Sequence, residues 1–404
     1  MFNEKAYSLG ANRSVIRELF EYGRKRTAEV GPENVFDFSL GNPSIPAPPQ
    51  VEAAIREALV TMPSLALHGY TTAAGDVAAR QAIADDLNAR FGTDITPGEL
   101  FLGCGAAPEL VAVLSALAVP GGEVLAVAPY FPEYKPFAES AGLTFRAVPP
   151  DVPGFQIRLS ELEKMLNVHT QAVLIDSPNN PSGTVYSRET LQALSEILTR
   201  KSAEFGHPIY LISDEPYREL VYDGVEVPFV PCIYRDTIVC YSYSKSLSLP
   251  GERIGYVYVP RAAADSEQLY AAVLGAARAA GHVCAPSLMQ QVIARCASVR
   301  PDLEAYDANR RALYDGLTAM GYQAAKPEGA FYLFVKVPTE NKAEFFDRAK
   351  ALDLLLVPGA GFGCPGYFRI CYCVSYDMIQ RSLPVFRALI NESRTDAAEE
   401  RDDL

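Results

Sequence analysis

Positive charge is in short supply in this chain. Its 404 residues hold 36 lysines and arginines against 49 aspartates and glutamates, a net charge of −13, which argues against a non-specific hold on nucleic acid or an anionic membrane. Histidine is scarcer still, with four in all. The eight cysteines (Cys104, Cys232, Cys240, Cys284, Cys296, Cys364, Cys371 and Cys373) are scattered without a C-x-x-C pair, so buried reduced thiols are the simplest reading. Cys371 and Cys373 lie two apart in an apolar, strand-like run, which puts them on one face, but no histidine is near them and no metal is expected. Long apolar runs are also missing: the most apolar stretch, 110–130, is broken by PGGE before it could span a bilayer. The N-terminal MFNEKAYSLGANR has no apolar core of the signal-peptide type, and the chain reads as cytoplasmic. There are no repeats, and the one biased tract is the polar, mostly acidic end, where 393–404 is expected to be disordered.

What the chain does hold is apolar bulk. Hydrophobic residues make up 49%, enough for a large core split between two domains and in keeping with a soluble enzyme. From Glu99 to about Val257 short apolar runs recur, in ELFLG, EVLAVA, QAVLID, PIYLIS and TIVCYS. Helix-patterned segments such as 108–117 and 188–204 separate several of them, which predicts an α/β protein with a mostly parallel sheet and helices on both faces. Polar, aromatic or glycine-rich segments follow the runs: CGAAPEL, PYFPEY, SPNNPSG, DEPYREL and YSKSLSLPGER. They fall at the carboxyl ends of strands, where open α/β sheets bind ligands.

In CGAAPEL, small residues lead into Pro108 at what reads as the first helical position, leaving the N–H groups of Gly105, Ala106 and Ala107 to face an anion. A plain tight turn is an equal reading of that motif alone. Gly103-Cys104-Gly105 hints at a dinucleotide fingerprint, but Pro108 holds the third glycine position and no acid ends the next strand. Arg253 and Ser242 would add anion contacts. Lys245, partly desolvated near Arg253, would favour its neutral amine, which can form a Schiff base with a carbonyl. Asp214 at a strand end could pair with a ring N–H⁺, Tyr217 and Asn180 could donate to a phenolate oxygen, and Phe131 could stack on a ring. Singly these are a snorkelling lysine, a surface arginine, a helix-capping aspartate, a turn asparagine and a core phenylalanine. Together they describe a pyridoxal phosphate site.

SPNNPSG, SDEPYREL and YSYSKSLSLPGERIGY closely resemble the fold-type-I, class I/II pyridoxal-phosphate-dependent aminotransferases, in which N-P-x-G, D-x-x-Y and S-x-x-K-x7-R occur in this order. The likeness runs from DFSLGNPS to FRICYCVSYDMI, nearly the whole chain. It implies Lys245 as the Schiff-base lysine, Asp214 as partner of the pyridine nitrogen, Asn180 and Tyr217 as contacts to the 3′-oxygen, and Ser242 and Arg253 as phosphate ligands. It further implies that Tyr70, in a Y-x4-G segment, reaches the phosphate of the neighbouring subunit of a homodimer. Arg369 in GYFRICYC would clamp the substrate α-carboxylate, and the backbone of Gly41 would approach it. Two departures stand out: Ala106 and Ala107 replace hydroxyl or longer polar side chains of many relatives, and Phe131 replaces the tryptophan frequent in aspartate aminotransferases.

The fold implied is a seven-stranded, mostly parallel sheet in a large cofactor domain, 46–286, and a smaller α+β domain from 1–45 and 287–392. The activity implied is ping-pong transamination between an L-amino acid, with a lean towards aspartate, and a 2-oxo acid such as 2-oxoglutarate. A carbon–sulfur β-lyase on the same scaffold is the alternative, and a regulator that keeps the site without turnover ranks last because every catalytic position is filled. A distal carboxylate would need a further cation, for which Arg278 and His282 are candidates; the 22 tyrosines would equally suit an aromatic or apolar substrate.

Overall fold

The computed structural model describes residues 1–11 and 15–402, with side chains described through Ser393. Its strands are β1 (Phe36–Asp37), β2 (Leu100–Gly103), β3 (Glu123–Val127), β4 (Thr144–Val148), β5 (Thr170–Asp176), β6 (Tyr210–Asp214), β7 (Thr237–Ser242), β8 (Gly255–Tyr258), β9 (Tyr332–Lys336), β10 (Leu354–Leu355), β11 (Val357–Pro358) and β12 (Tyr367–Cys371). Seven of them form one sheet in the order β2-β8-β7-β6-β5-β3-β4. From β4 to β7 every neighbouring pair is parallel, whereas β8 runs antiparallel to both β7 and β2. The runs 172–175 and 209–212 are buried throughout, as expected for strands covered by helices on both faces.

All five apolar runs became strands of this sheet. The two further strands lay outside them for physical reasons: β4 is an edge strand with only Val148 fully buried, and β8 is four residues long. The helix expected from Pro108 begins earlier, at Ala106. Gly105 is therefore the residue before the helix, and Pro108 is the third helical residue, where a missing N–H still breaks no intrahelical bond.

The remaining strands form a β11-β12-β9 antiparallel sheet and a parallel β1-β10 pair. The helices Glu304–Met320 and Tyr376–Asp402 contribute Leu313, Leu317, Phe386 and Leu389 to the core, against Leu333, Phe368 and Ile370 of this sheet. The backbone of the last helix continues through most of the acidic end, and Asp403 and Leu404 lie outside the described residues. Among the described residues no helix is long and apolar enough to cross a membrane.

Strand direction decides where the chemistry gathers. Because β8 is antiparallel, its first residue lies at the same edge as the carboxyl ends of its neighbours: Gly255 pairs with Ser242, and Asp214 pairs with both Asp176 and Cys240. Gly255 also has no room for a side chain, since a Cβ there would clash with Tyr241 O and lie 3.0 Å from Gly105 Cα. Gly255→Ala should therefore push β8 from β7 and cost about 1–3 kcal/mol. Urea unfolding would read this as a lower midpoint, and an unchanged midpoint would refute the close packing.

Candidate active site

Around that sheet edge lies a cavity of about 290 Å³. Gly41, Ala106, Ala107, Phe131, Asn180, Asp214, Tyr217, Ser242, Lys245, Arg253 and Arg369 all line it. Segments more than 300 residues apart in the chain thus meet in one place.

One end of the cavity is built for an anion. The helix Ala106–Leu117 presents its N-terminus there, with unpaired first-turn N–H groups and the positive end of its dipole. Ser242 Oγ donates to Ser244 Oγ at 2.8 Å, and Arg253 donates to Pro250 O at 3.0 Å and to Ser244 Oγ at 3.5 Å. Ser244 thus brings a hydroxyl to an end of the cavity where the helix offers only alanines. Arg253 sits in the left-handed backbone region, φ 54°, a conformation that costs a non-glycine residue on the order of 1–2 kcal/mol and is retained where surrounding contacts impose it. Its guanidinium packs against Gly105, where a Cβ would come within 2.8 Å of Nη2. Gly105 itself does not line the cavity; it makes room for the arginine that does.

The floor of the cavity carries two acids at neighbouring strand ends. Asp214 accepts from Tyr134 OH at 2.6 Å through Oδ2, while its buried Oδ1 has no partner. Asp176, paired with Asp214 across the strands, accepts from the N–H of Asn180 at 2.8 Å through Oδ2, and its Oδ1 is also unpartnered. Burial pushes the Asp214 carboxyl up to about 7 despite the bond from Tyr134. Burial and the Asp214 charge push Asp176 well above the ordinary carboxylate range. Two desolvated acids this close favour holding a proton or receiving a cation.

Above them Lys245, on the short helix Tyr243–Ser246, donates from Nζ to Gly41 O at 2.6 Å and lies 5.4 Å from the Phe331 ring centre. Burial brings its amine below the ordinary lysine value; Cys373 and Cys371 oppose the shift, and Arg369 and Arg253 add to it. The direction agrees with the sequence reading, but burial outweighs the Arg253 charge as its cause. Gly41 meets this lysine through its carbonyl. Arg369 is 2% exposed and donates to Asn180 Oδ1 at 3.1 Å and Ser39 O at 2.5 Å, with Nε left unpartnered. Tyr332 and Phe362 rings flank its guanidinium at 4.7 and 5.1 Å, and among the described residues no carboxylate pairs with it. Tyr217 and Tyr332 share a hydroxyl–hydroxyl bond of 2.7 Å.

Three candidates lie elsewhere. Tyr70 is 87% exposed and outside the cavity. Arg278 and His282 line a different cavity with Ala73 and Phe101. The sequence reading had not singled out Asp176, Tyr134, Ser244 or Tyr332 as site residues. Asp176 carried a signal, since it ends QAVLID at the same sheet edge as Asp214; the tyrosines had none, because their partners are 80 and 115 residues away. The raised Asp214 value has a testable consequence. Between the ordinary aspartate value near 4 and about 7, the folded protein binds a proton that the unfolded chain releases. Stability from this group therefore falls as pH rises through that window. Melting of the ligand-free protein should show a Tm that declines from about pH 4 to about pH 7, with a shallower decline in Asp214→Asn. Equal slopes would remove the assignment.

Comparison with known proteins agrees with this geometry. Residues 33–384 match the family model "Aminotransferase class I and II". An aspartate aminotransferase of Thermotoga maritima is 30% identical over 368 residues, covering 89% of this chain and 92% of its own. An aspartate/prephenate aminotransferase of Thermus thermophilus is 28% identical over 367 residues, 88% and 91% of the two chains. The crystal structure of an amino transferase from Eubacterium rectale superposes with a TM-score of 0.95 at 54% identity, over 97% of this chain and 99% of that one. A cavity with this lysine, these acids and these arginines, on a chain matched along most of its length, belongs to the class I and II aminotransferases, and the enzyme is a transaminase dependent on pyridoxal 5′-phosphate.

Proposed function

We propose that the enzyme exchanges an amino group between an L-amino acid, with aspartate as the favoured donor, and a 2-oxo acid such as 2-oxoglutarate, through Lys245. The observation that carries this reading is Arg369, a buried guanidinium without a carboxylate partner, facing the same cavity as the depressed amine of Lys245. A buried cation of this kind is costly unless an anion completes it, and the α-carboxylate of an amino acid matches its planar fork.

The residues also fit the cofactor. Asp214 Oδ1 is buried and unpartnered where a ring N–H⁺ needs an acceptor, and the Gly105–Arg253 contact leaves a cradle that a side chain would fill. Arg253, Ser242, Ser244 and the amides of Ala106 and Ala107 would hold the phosphate, Asn180 and Tyr217 the 3′-oxygen, and Phe131 would cover one ring face. Lys245 would hold the aldehyde carbon through Nζ. When bound, pyridoxal phosphate supplies an electron sink for the pair left at the substrate Cα. Arg369 and Asn180 orient the substrate by its carboxylate, and the Gly41 backbone borders the same end. Lys245 Nζ, as a neutral amine, would take the Cα proton and hold it at Nζ. Asp214 keeps the proton at the ring nitrogen, and the apolar walls of Ile16, Leu40 and Phe131 exclude water from the amine.

Aspartate as donor rests on the names of the relatives. Among the described residues the cations lining the cavity are Lys245, Arg253 and Arg369, and each has a duty above. A distal carboxylate would be met by Arg278 from a second copy: Arg278 shares a surface cavity with Ala73, close in sequence to the exposed Tyr70, and in a homodimer that face would supply both residues across the interface.

Absorbance changes of the yellow holoenzyme with single amino acids test the reading. Aspartate should convert the cofactor to its aminated form, with glutamate, alanine, phenylalanine, tyrosine and methionine slower, and Lys245→Ala should lose roughly a thousandfold or more in rate. Borohydride should fix the cofactor on Lys245. Inert aspartate beside reactive phenylalanine would replace the donor with an aromatic one; pyruvate and ammonia from a β-substituted amino acid would make the enzyme a lyase.

A further inference from the structure

Three consecutive carbonyls, of Ser39, Leu40 and Gly41, each accept from a different group around the active cavity. Ser39 O takes Arg369 Nη2 at 2.5 Å, Leu40 O takes Cys373 Sγ at 3.8 Å, and Gly41 O takes Lys245 Nζ at 2.6 Å. The segment is tied to the same strand by Cys371 N donating to Phe38 O at 3.1 Å. The middle contact is the odd one, because it comes from a thiol whose sulfur lies 2.9 Å from another, Cys371 Sγ. Arg369, Cys371 and Cys373 alternate along one chain segment and so share a face.

We infer that Cys371 and Cys373 are an oxidisable dithiol which peroxide converts to an intrachain disulfide, weakening the hold of Arg369 on the substrate carboxylate. Three features support it. First, the sulfurs need to move from 2.9 Å to only about 2.0 Å to bond. Second, burial alone would raise both thiols, but the hydrogen bond from Cys373 and the Arg369 and Lys245 cations bring Cys371 below its ordinary value, while burial and that same bond hold Cys373 well above. Cys371 is therefore the nucleophile, and Cys373, whose single S–H lies between Leu40 O and Cys371 Sγ, supplies the proton. Third, the pair borders the active cavity: Leu40, whose carbonyl accepts from Cys373, lines it, and peroxide would enter from that side. Cys373 is 5% exposed and Cys371 fully buried, so the cavity side is the shorter way in.

The chemistry balances. The Cys371 thiolate attacks one peroxide oxygen, the O–O bond breaks, and the other oxygen leaves as water with the Cys373 proton. Cys373 then attacks the sulfenic sulfur, the S–O bond breaks, and the second water leaves with the proton Cys371 had released. Each sulfur loses one electron and peroxide gains two. The new bond removes the donor from Leu40 O and draws in the chain segment that carries Arg369.

The effect on substrate rests on the carboxylate role proposed for Arg369, whereas the disulfide does not. The holoenzyme would be treated with hydrogen peroxide, its free thiols alkylated, and its peptides mapped without reduction. The expected product is a peptide with Cys371 and Cys373 both unalkylated and lighter by two hydrogens. The amino-acid KM should rise roughly tenfold, as loss of a charge-assisted hydrogen bond implies, and dithiothreitol should restore it. Cys371→Ser and Cys373→Ser, tested singly so that a folding failure in one leaves the other as the test, should keep their KM through the treatment. Both thiols alkylated after peroxide, while the exposed Cys232 is oxidised, would overturn the disulfide. The same rise in KM in the serine variants would overturn its effect. An untreated Arg369→Leu enzyme with unchanged KM would instead remove the carboxylate role and leave the disulfide standing.

Discussion

Desolvated charge without a built-in partner is the constraint from which the rest of this structure follows. Asp214 and Asp176 each leave a carboxylate oxygen buried and unpartnered, and Arg369 is a buried guanidinium held by a carbonyl, an amide oxygen and two aromatic rings. Leaving even one such group unpaired costs several kcal/mol in an apolar interior, so the fold must hold them against relaxation. Stiffness comes from strands covered on both faces and from neighbours that lock the polar groups: Tyr134 on Asp214, the Asn180 amide on Asp176, and the Ser39 carbonyl on Arg369. What the cavity lacks internally is the complement of what a zwitterionic substrate and a phosphorylated pyridinium carry.

The two ends of the cavity solve the same problem by different means. The end at the helix Ala106–Leu117 uses backbone N–H groups and two serines, with a guanidinium packed on a glycine, so it can hold an anion although Ala106 and Ala107 contribute no hydroxyl. The other end uses a single buried arginine flanked by rings. Burial lowers the Lys245 amine below the ordinary lysine value, and the Arg369 and Arg253 charges add to the shift; a more exposed lysine in the same motif would hold its proton more tightly and be a poorer base near neutrality.

Much of this was legible before any coordinates. The five apolar runs became β2, β3, β5, β6 and β7, and eleven of the residues singled out line one cavity, nine from segments at strand ends and Gly41 and Arg369 from the family resemblance. Motifs at strand ends are readable because the parallel topology sends successive ends to the same edge. What stayed hidden depended on pairings the sequence order does not reveal: the edge strand β4 with its mixed face, the short antiparallel β8, and tyrosines that reach Asp214 and Tyr217 from distant segments. Cys371 and Cys373 read as inert core thiols, and only their approach to each other beside Lys245 and Leu40 gives them another role. Tyr70, Arg278 and His282 fall outside the cavity within one chain.

The reversed direction of β8 has one more implication. Lys245 leaves the sheet at the end of β7 and Arg253 re-enters it just before β8, so the seven residues between them are pinned at both ends to adjacent strands by the Ser242–Gly255 register. They fix the spacing between Lys245 and Arg253. An insertion there would move one anchoring group relative to the other, whereas lengthening the turn at Gly206, on the opposite rim, would leave that spacing untouched.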